Sequence, residues 1–488
     1  MTSRSSSPDR LSAPKFRKKF NFWTALGIAI CSSGSWEGWV TSLAQGMTGG
    51  GSVGLLWGWI FVSAGILMLA ASLAEYASMW PSSGGQYVWA GNLSPKKYAR
   101  ITSWYTAWFS IVGLWLGSLS AGMSVAVQAQ AYAAVASDYT PVTWHNFLIN
   151  LGVLASWLVM YVYSDRLLHW MNQIILGIHF VGYVLVIGIL TGTTKNKHDA
   201  EYVFTNFQNL TGWDSDFVSW SVSLLSSLYA FFSLDTACHY AEELENASVV
   251  VPRAMILQAL CSAVTTFPLI IAVLFCIGDA ASVLASRIGI MSPLTQITIN
   301  STGNIGVSVF LSALVTCTGF VAGFDLWGAA ARSLWSLARD GALPEFLGRL
   351  HPRWNVPINA NLVLVPPSLI IYMIYIWNTT AFYGIMAGVL VAFQLSYLIP
   401  VGLDLFYARQ HLGLVRGAFN MGRWGRTINT ASFLFACYMI IFMSFPVYYP
   451  VTAANMNYSP LIIGSVIIFS SLGWFFYGST RYLEPRDV

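Results

Sequence analysis

Twelve apolar runs, each about as long as a lipid bilayer is thick, divide this 488-residue chain and leave few ways for it to fold. A helix needs roughly 20 mostly apolar residues to cross the hydrocarbon core. Such runs occupy 22–46, 52–77, 101–135, 145–163, 167–192, 217–240, 254–278, 303–330, 359–377, 381–406, 428–449 and 459–479. The third and eighth are long, which predicts tilt or extension past the bilayer. A soluble core does not account for these runs. Only 9% of residues are Asp, Glu, Lys or Arg, against about 25% in a soluble domain that must carry a polar skin. The 21 Trp suit rings seated at membrane–water boundaries. The sequence predicts an all-α integral membrane protein of about twelve spans, with the lipid bilayer as its surroundings.

Charge placement predicts the orientation. With both termini in the cytosol, 21 of the 24 Lys and Arg fall inside, and only Lys195, Lys197 and Arg287 fall outside. That bias is the positive-inside rule, and it requires an even number of spans. Residues 1–21 have no apolar stretch before Phe22, so they read as a cytosolic tail and not as a cleavable signal. Residues 480–488 form a second short tail. A net charge of +4 gives a nucleic-acid role no support. Cys31, Cys238, Cys261, Cys276, Cys317 and Cys437 all lie in or beside apolar runs and read as small buried residues. No CxxC pair or Cys/His cluster calls for a metal, and no cofactor is expected. Asn209, Asn300, Asn378 and Asn457 begin outward-facing N-x-S/T triplets open to glycosylation, whereas the triplets at Asn92 and Asn246 fall inside. The plasma membrane and the vacuolar membrane both fit.

Two spans carry signs of interruption. The first contains Cys31-Ser32-Ser33-Gly34-Ser35-Trp36-Glu37-Gly38, small residues followed by an acid inside an apolar run. Gly and Ser weaken a helix, and unwound backbone near the midplane supplies the free N–H and C=O groups that bind solutes. A small-residue packing face is the plainer alternative. The sixth span contains Phe231-Phe232-Ser233-Leu234-Asp235-Thr236, about 200 residues later. That spacing fits two five-span halves, 22–192 and 217–406, followed by two additional spans over 428–479. Intramembrane carboxylates cost several kcal/mol unless paired or hydrated. Glu37, Asp235 and Asp325 are therefore candidates for proton coupling, and His179 for relaying protons. A structural hydrogen bond is the alternative for each.

Five stretches in order resemble the amino acid–polyamine–organocation superfamily, most closely the fungal amino acid/choline/GABA permeases. They are Trp36-Glu37; Ala74 to Tyr87, with Pro81-Ser82-Ser83-Gly84-Gly85-Gln86; Asp235 to Glu243, running on to Val251-Pro252-Arg253; Ser292-Pro293-Leu294-Thr295-Gln296-Ile297; and Ala338-Arg339-Asp340-Gly341-Ala342-Leu343-Pro344 with His351-Pro352-Arg353. The resemblance implies a five-plus-five inverted repeat with two extra helices, and a solute held between the breaks of spans one and six. It implies that Ser33, Gly34 and Ser35 cradle a carboxylate and that Phe231, Phe232, Ser233 and Asp235 line the other wall; Glu37, beside the span-one break, is counted with the solute-binding candidates. Relatives commonly place a Gly and an aromatic before the acid of span six. Ser233-Leu234 departs from that pattern and implies a less sharp break.

Glu242, Glu243 and Glu245 lie at the inner end of span six, and Arg332, Arg339, Asp340 and Arg353 lie across the same face. Pairing among them would close an inner gate; solvated loop charges are the alternative. The function expected is secondary transport of a small amine-bearing solute such as an amino acid, GABA or choline, coupled to protons. No GxxxxGK[ST] occurs to supply ATP drive. His179 and His239 have no catalytic spacing with a nucleophile, so an embedded enzyme is not expected. A non-transporting receptor and an exporter of an amine metabolite are the other readings.

Overall fold

The computed structural model describes residues 16–162, 164–377 and 381–482, and within them it is helical, with no strand. Among the described residues, ten helical stretches are long and apolar enough to cross a bilayer: Leu43–Met79, Ala99–Ala136, Thr143–Val162, Trp170–Thr193, Ala247–Cys276, Ile305–Arg339, Ile358–Trp377, Phe382–His411, Gly422–Phe442 and Ser459–Arg481. Two further segments, 22–41 and 216–243, are broken into short pieces. They are the first and sixth of the expected spans, and they restore the count of twelve. Many outward side chains on the continuous helices are large and apolar, including Val159, Val184, Ile370, Phe469 and Phe475. Lipid tolerates such a surface and water does not.

Gly51 separates spans one and two. Its φ of 57° and ψ of −145° are not helical, and a Cβ built on Gly46 would sit 2.2 Å from Leu55 Cδ2. The chain has therefore turned back on itself, and Leu43–Gly50 complete the first span. A Cβ on Gly51 would meet the Asn206 carbonyl at 2.9 Å, so this turn requires glycine twice over. Span eight runs nine residues beyond its expected end, to Arg339, so Arg332 and Arg339 ride on the helix and not on a loop. The expected ends at 330 and 449 are corrected to Arg339 and Phe442.

Span three packs along spans eight and ten, span two along span seven, and the pieces of span one against those of span six. The pairs one–six, two–seven and three–eight are those a twofold pseudo-symmetry would generate. The segment before span one also packs: Phe16 and Phe20 are buried, and Phe20 bridges to Leu244.

Both interruptions are present. Gly34 breaks span one in the left-handed region (φ 48°, ψ 55°). Span six is helical to Tyr229, turns through 230–235, and resumes as a tighter helix over Thr236–Glu243. Ser233 has φ 63°, so the expectation of a softer break is overturned. A non-glycine residue held there costs on the order of 1 kcal/mol. Ser233→Gly should keep or slightly raise the thermal unfolding midpoint in detergent. Ser233→Val, β-branched at a positive φ, should lower it by several degrees.

Candidate transport site and inner gate

The two breaks touch. A Cβ on Gly38 would lie 3.5 Å from Ala230 Cα and 3.6 Å from the Tyr229 carbonyl, so glycine lets the half-helices approach. Around Gly34, the Gly34 N–H donates to Ile30 O and the Gly38 N–H to Gly34 O. Between them, the N–H groups of Ser35, Trp36 and Glu37 open the restarted helix, and the break leaves them without a bond to the carbonyls of the helix before it. The Ser33 hydroxyl turns back onto the Ile30 carbonyl at 3.0 Å. The Ser233 hydroxyl is buried and meets no partner among the described residues.

Phe231 and Phe232 point different ways. Phe231 stacks on Trp59 of span two, with centroids 4.6 Å apart. Phe232 stacks on Tyr229 at 4.8 Å and approaches Phe393 of span ten at 6.4 Å. The Tyr229 hydroxyl reaches Ser120 of span three at 2.9 Å. One turn further along span three, Ser124 lines a cavity of about 310 Å³ with Thr41, Gln130, Tyr375 and Tyr383. A second cavity, of about 290 Å³, is lined by Gln45, Leu225, Tyr383 and Asn457. Both lie at the end of the molecule away from the Lys/Arg-rich segments. A third, of about 700 Å³, is an apolar flank groove among Trp108, Trp115, Ile371 and Phe469, remote from the breaks.

The intramembrane acids are all buried, and each has a partner. Glu37 faces His179, with Nδ1 2.9 and 3.1 Å from its two oxygens. Trp36 steadies that histidine by donating to its backbone carbonyl. Asp325 accepts from Asn172 at 3.0 Å, and its other oxygen has no partner among the described residues. Asp235 accepts from Gln86, from the Tyr397 hydroxyl and from His239. Sequence reading paired none of these residues. His239, Tyr397 and Gln86 lacked spacing to mark them, although Gln86 stood in a conspicuous Ser-Ser-Gly-Gly-Gln run.

At the basic end, the expected ion pairs form. Arg332 bonds Glu243 at 2.6 Å, both buried, and stacks over the Tyr240 ring at 4.1 Å. Arg339 bonds Glu242 at 2.9 Å and approaches Asp340 at 3.5 Å. Asp340 also accepts from the Tyr87 hydroxyl at 2.8 Å. Burial raises the Asp340 carboxyl above its ordinary range, while Arg339 and Tyr87 pull it back. Glu245 and Arg353 stay outside this cluster: Glu245 uses its backbone N–H to bind Phe20 O. The segment before span one packs onto this cluster. Lys19 and Phe20 donate backbone N–H groups to Glu243 O, and Phe16 packs edge-on against Trp335 at 4.8 Å. A second cluster, not foreseen, buries Glu75 and Asp404 between Arg409 and Arg416, tying span two to span ten and the loop after it.

Of the glycosylation candidates, Asn209 and Asn457 spend their amide nitrogens on backbone carbonyls, whereas Asn300 is exposed. Asn378 lies outside the described residues.

Removing one partner of a buried ion pair strands the other charge, at a cost of about 3–5 kcal/mol. Glu243→Gln should therefore destabilise the closed gate. In a protein with Cys261, Cys317 and Cys437 changed to Ser, maleimide labelling of buried Cys238 should rise about tenfold or more. Peptide mass spectrometry checks it.

Residues 20–468 match the family model described as amino acid permease. The choline transporter of Saccharomyces cerevisiae is 31% identical over 96% of this chain and 82% of its own length. Amino-acid permease 2 of Neurospora crassa is 26% identical over 97% of this chain and 87% of its own. Among solved structures, a manganese transporter from Eremococcus coleocola superposes with a TM-score of 0.56 over 93% of both chains at 11% identity, a likeness of fold alone. The chain is a multi-pass membrane transporter that belongs to the amino acid permease family, within the amino acid–polyamine–organocation superfamily.

Proposed function

We propose that this transporter carries a small amine-bearing solute, choline or an amino acid, across the membrane by proton-coupled secondary transport. In this reading, segments 22–192 and 217–406 are the two inverted halves, 428–479 is accessory, and the basic end faces the cytosol. The observation that carries it is the apposition of two broken spans beside an aromatic wall, sealed by ion pairs at the basic end, with cavities that open at the opposite end beside Thr41 and Leu225. Ring faces such as Tyr229, Phe232 and Phe393 attract a positive nitrogen, with the strongest effect where water is excluded. The N–H groups after Gly34 suit a carboxylate when the solute is an amino acid. Gly38 and Gly117 bring backbone and rings together tightly: a Cβ on Gly117 would stand 3.3 Å from Phe232 Cε2. The names of the relatives support choline and amino acids as the first solutes to try.

The closed gate at the basic end and the cavities opposite it correspond to a carrier facing outward. Solute would bind between the breaks, the Glu242–Arg339 and Glu243–Arg332 pairs would part, and the half-helix 236–243 would swing to release it.

The test is uptake of labelled choline, GABA, ethanolamine, polyamines and neutral amino acids by yeast lacking their own permeases, at pH 5 and 7.5, with and without a protonophore. Saturable uptake of one solute, several-fold faster at pH 5 and abolished by the protonophore, is the expected result. Surface-expressed protein that accumulates none of them would remove this reading in favour of export or sensing. Phe232→Ala should raise the half-saturating concentration by about tenfold, as expected when a cation–π contact worth about 1–2 kcal/mol is lost.

A further inference from the structure

The geometry points to His239 as the carrier of the coupling proton, held as an imidazolium against Asp235 in a socket built by the loop between spans two and three. This deepens the proton-coupled reading proposed above and rests on it.

Both ring nitrogens of His239 face acceptors. Nδ1 lies 2.9 Å from the Ser83 backbone carbonyl, and Nε2 lies 2.8 Å from Asp235 Oδ2. A carbonyl can only accept, so Nδ1 carries a hydrogen. Asp235 meanwhile receives Gln86 Nε2 and the Tyr397 hydroxyl, while the Gln86 oxygen accepts from Ser110 at 3.1 Å. A carboxyl surrounded by donors is ionised, so Nε2 also carries a hydrogen. The pair thus holds one proton more than a neutral histidine would. The pair formed by Glu37 and His179 lacks this requirement: only Nδ1 of His179 faces the carboxylate, which a neutral ring satisfies.

The socket explains a motif that gate and solute site leave unused. In the run Ser83-Gly84-Gly85-Gln86, Ser83 gives its carbonyl and Gln86 its amide. Gly85 has φ 57°, and a Cβ there would strike Cys238 Sγ at 2.9 Å and His239 Cε1 at 3.0 Å. No other residue fits beneath the ring. Both His239 and Asp235 are wholly buried. The titratable groups facing the pair are Tyr397 from span ten and Cys238 beside it. From span eight, Asp325 faces Asn172 and Arg332 faces Glu243.

His239 shares its short helix, Thr236–Glu243, with both gate acids. When Glu242 and Glu243 leave their arginines, the same helix draws His239 from the socket and admits water. The imidazolium then gives one N–H proton to water; the ring becomes neutral and Asp235 stays ionised. One proton crosses per opening.

The test uses the full chain in liposomes with labelled choline. Wild type should accumulate choline when a pH gradient is imposed. His239→Gln should lose that accumulation at least tenfold while keeping exchange of preloaded choline. Tyr397→Phe removes a donor from Asp235 and should alter the pH profile of uptake. Accumulation retained by His239→Gln, or lost in Glu37→Gln and not in His239→Gln, would overturn the assignment. Wild-type uptake indifferent to the gradient would instead remove the proton-coupled reading itself. Independently of solute or variant activity, ring-¹⁵N spectra of the wild type at pH 8 should show a buried imidazolium, absent from His239→Gln or shifted in Tyr397→Phe. Only neutral rings at that pH would also overturn it.

Discussion

Backbone N–H and C=O groups cannot be left bare in hydrocarbon, and this protein breaks two of its spans nonetheless. The constraint is met by geometry. The broken segments 22–41 and 216–243 pack against each other among intact helices, so their loose polar groups face protein rather than lipid. Everything else follows from that placement. The long helices, such as Ala99–Ala136 and Ile305–Arg339, form the wall against which the short pieces of spans one and six pack.

In the proposed inner gate, two arginines of one helix, Arg332 and Arg339, hold two consecutive glutamates of another, Glu243 and Glu242, so both pairs would part together. A buried pair such as Arg332–Glu243 is a poor source of net stability but a sharp selector between paired and unpaired states. Its surroundings of Tyr240, Tyr161 and Phe16 rings soften the desolvation of the guanidinium.

Much of this was legible in the sequence. Spans follow from hydropathy alone, because lipid imposes one length and one pattern. The break at Gly34 was legible because small residues and an acid interrupt an apolar run. Ser233 was harder: nothing about Ser-Leu announces a left-handed residue, and the surrounding contacts impose it. Partners were illegible throughout. Glu37 meets His179 across 142 residues, and Asp235 meets Gln86 across 149. No spacing rule spans such distances. The Glu75–Asp404–Arg409–Arg416 cluster escaped for the same reason. Asn209 and Asn457 show the reverse, a local triplet legible in the sequence whose amide contacts with distant or looped backbone were not.

The segment before span one closes the gate as a tethered ligand does. Phe16 and Phe20 dock onto spans six and eight, yet they are joined to Phe22 by only a few residues. A short tether keeps a released group at millimolar effective concentration. In the proposed cycle each release would therefore be followed by rapid recapture, and the segment would act as a spring-loaded latch. The lifetime of an inward-open carrier would then be set in part by a peptide that packs on the gate helices and not on the solute site.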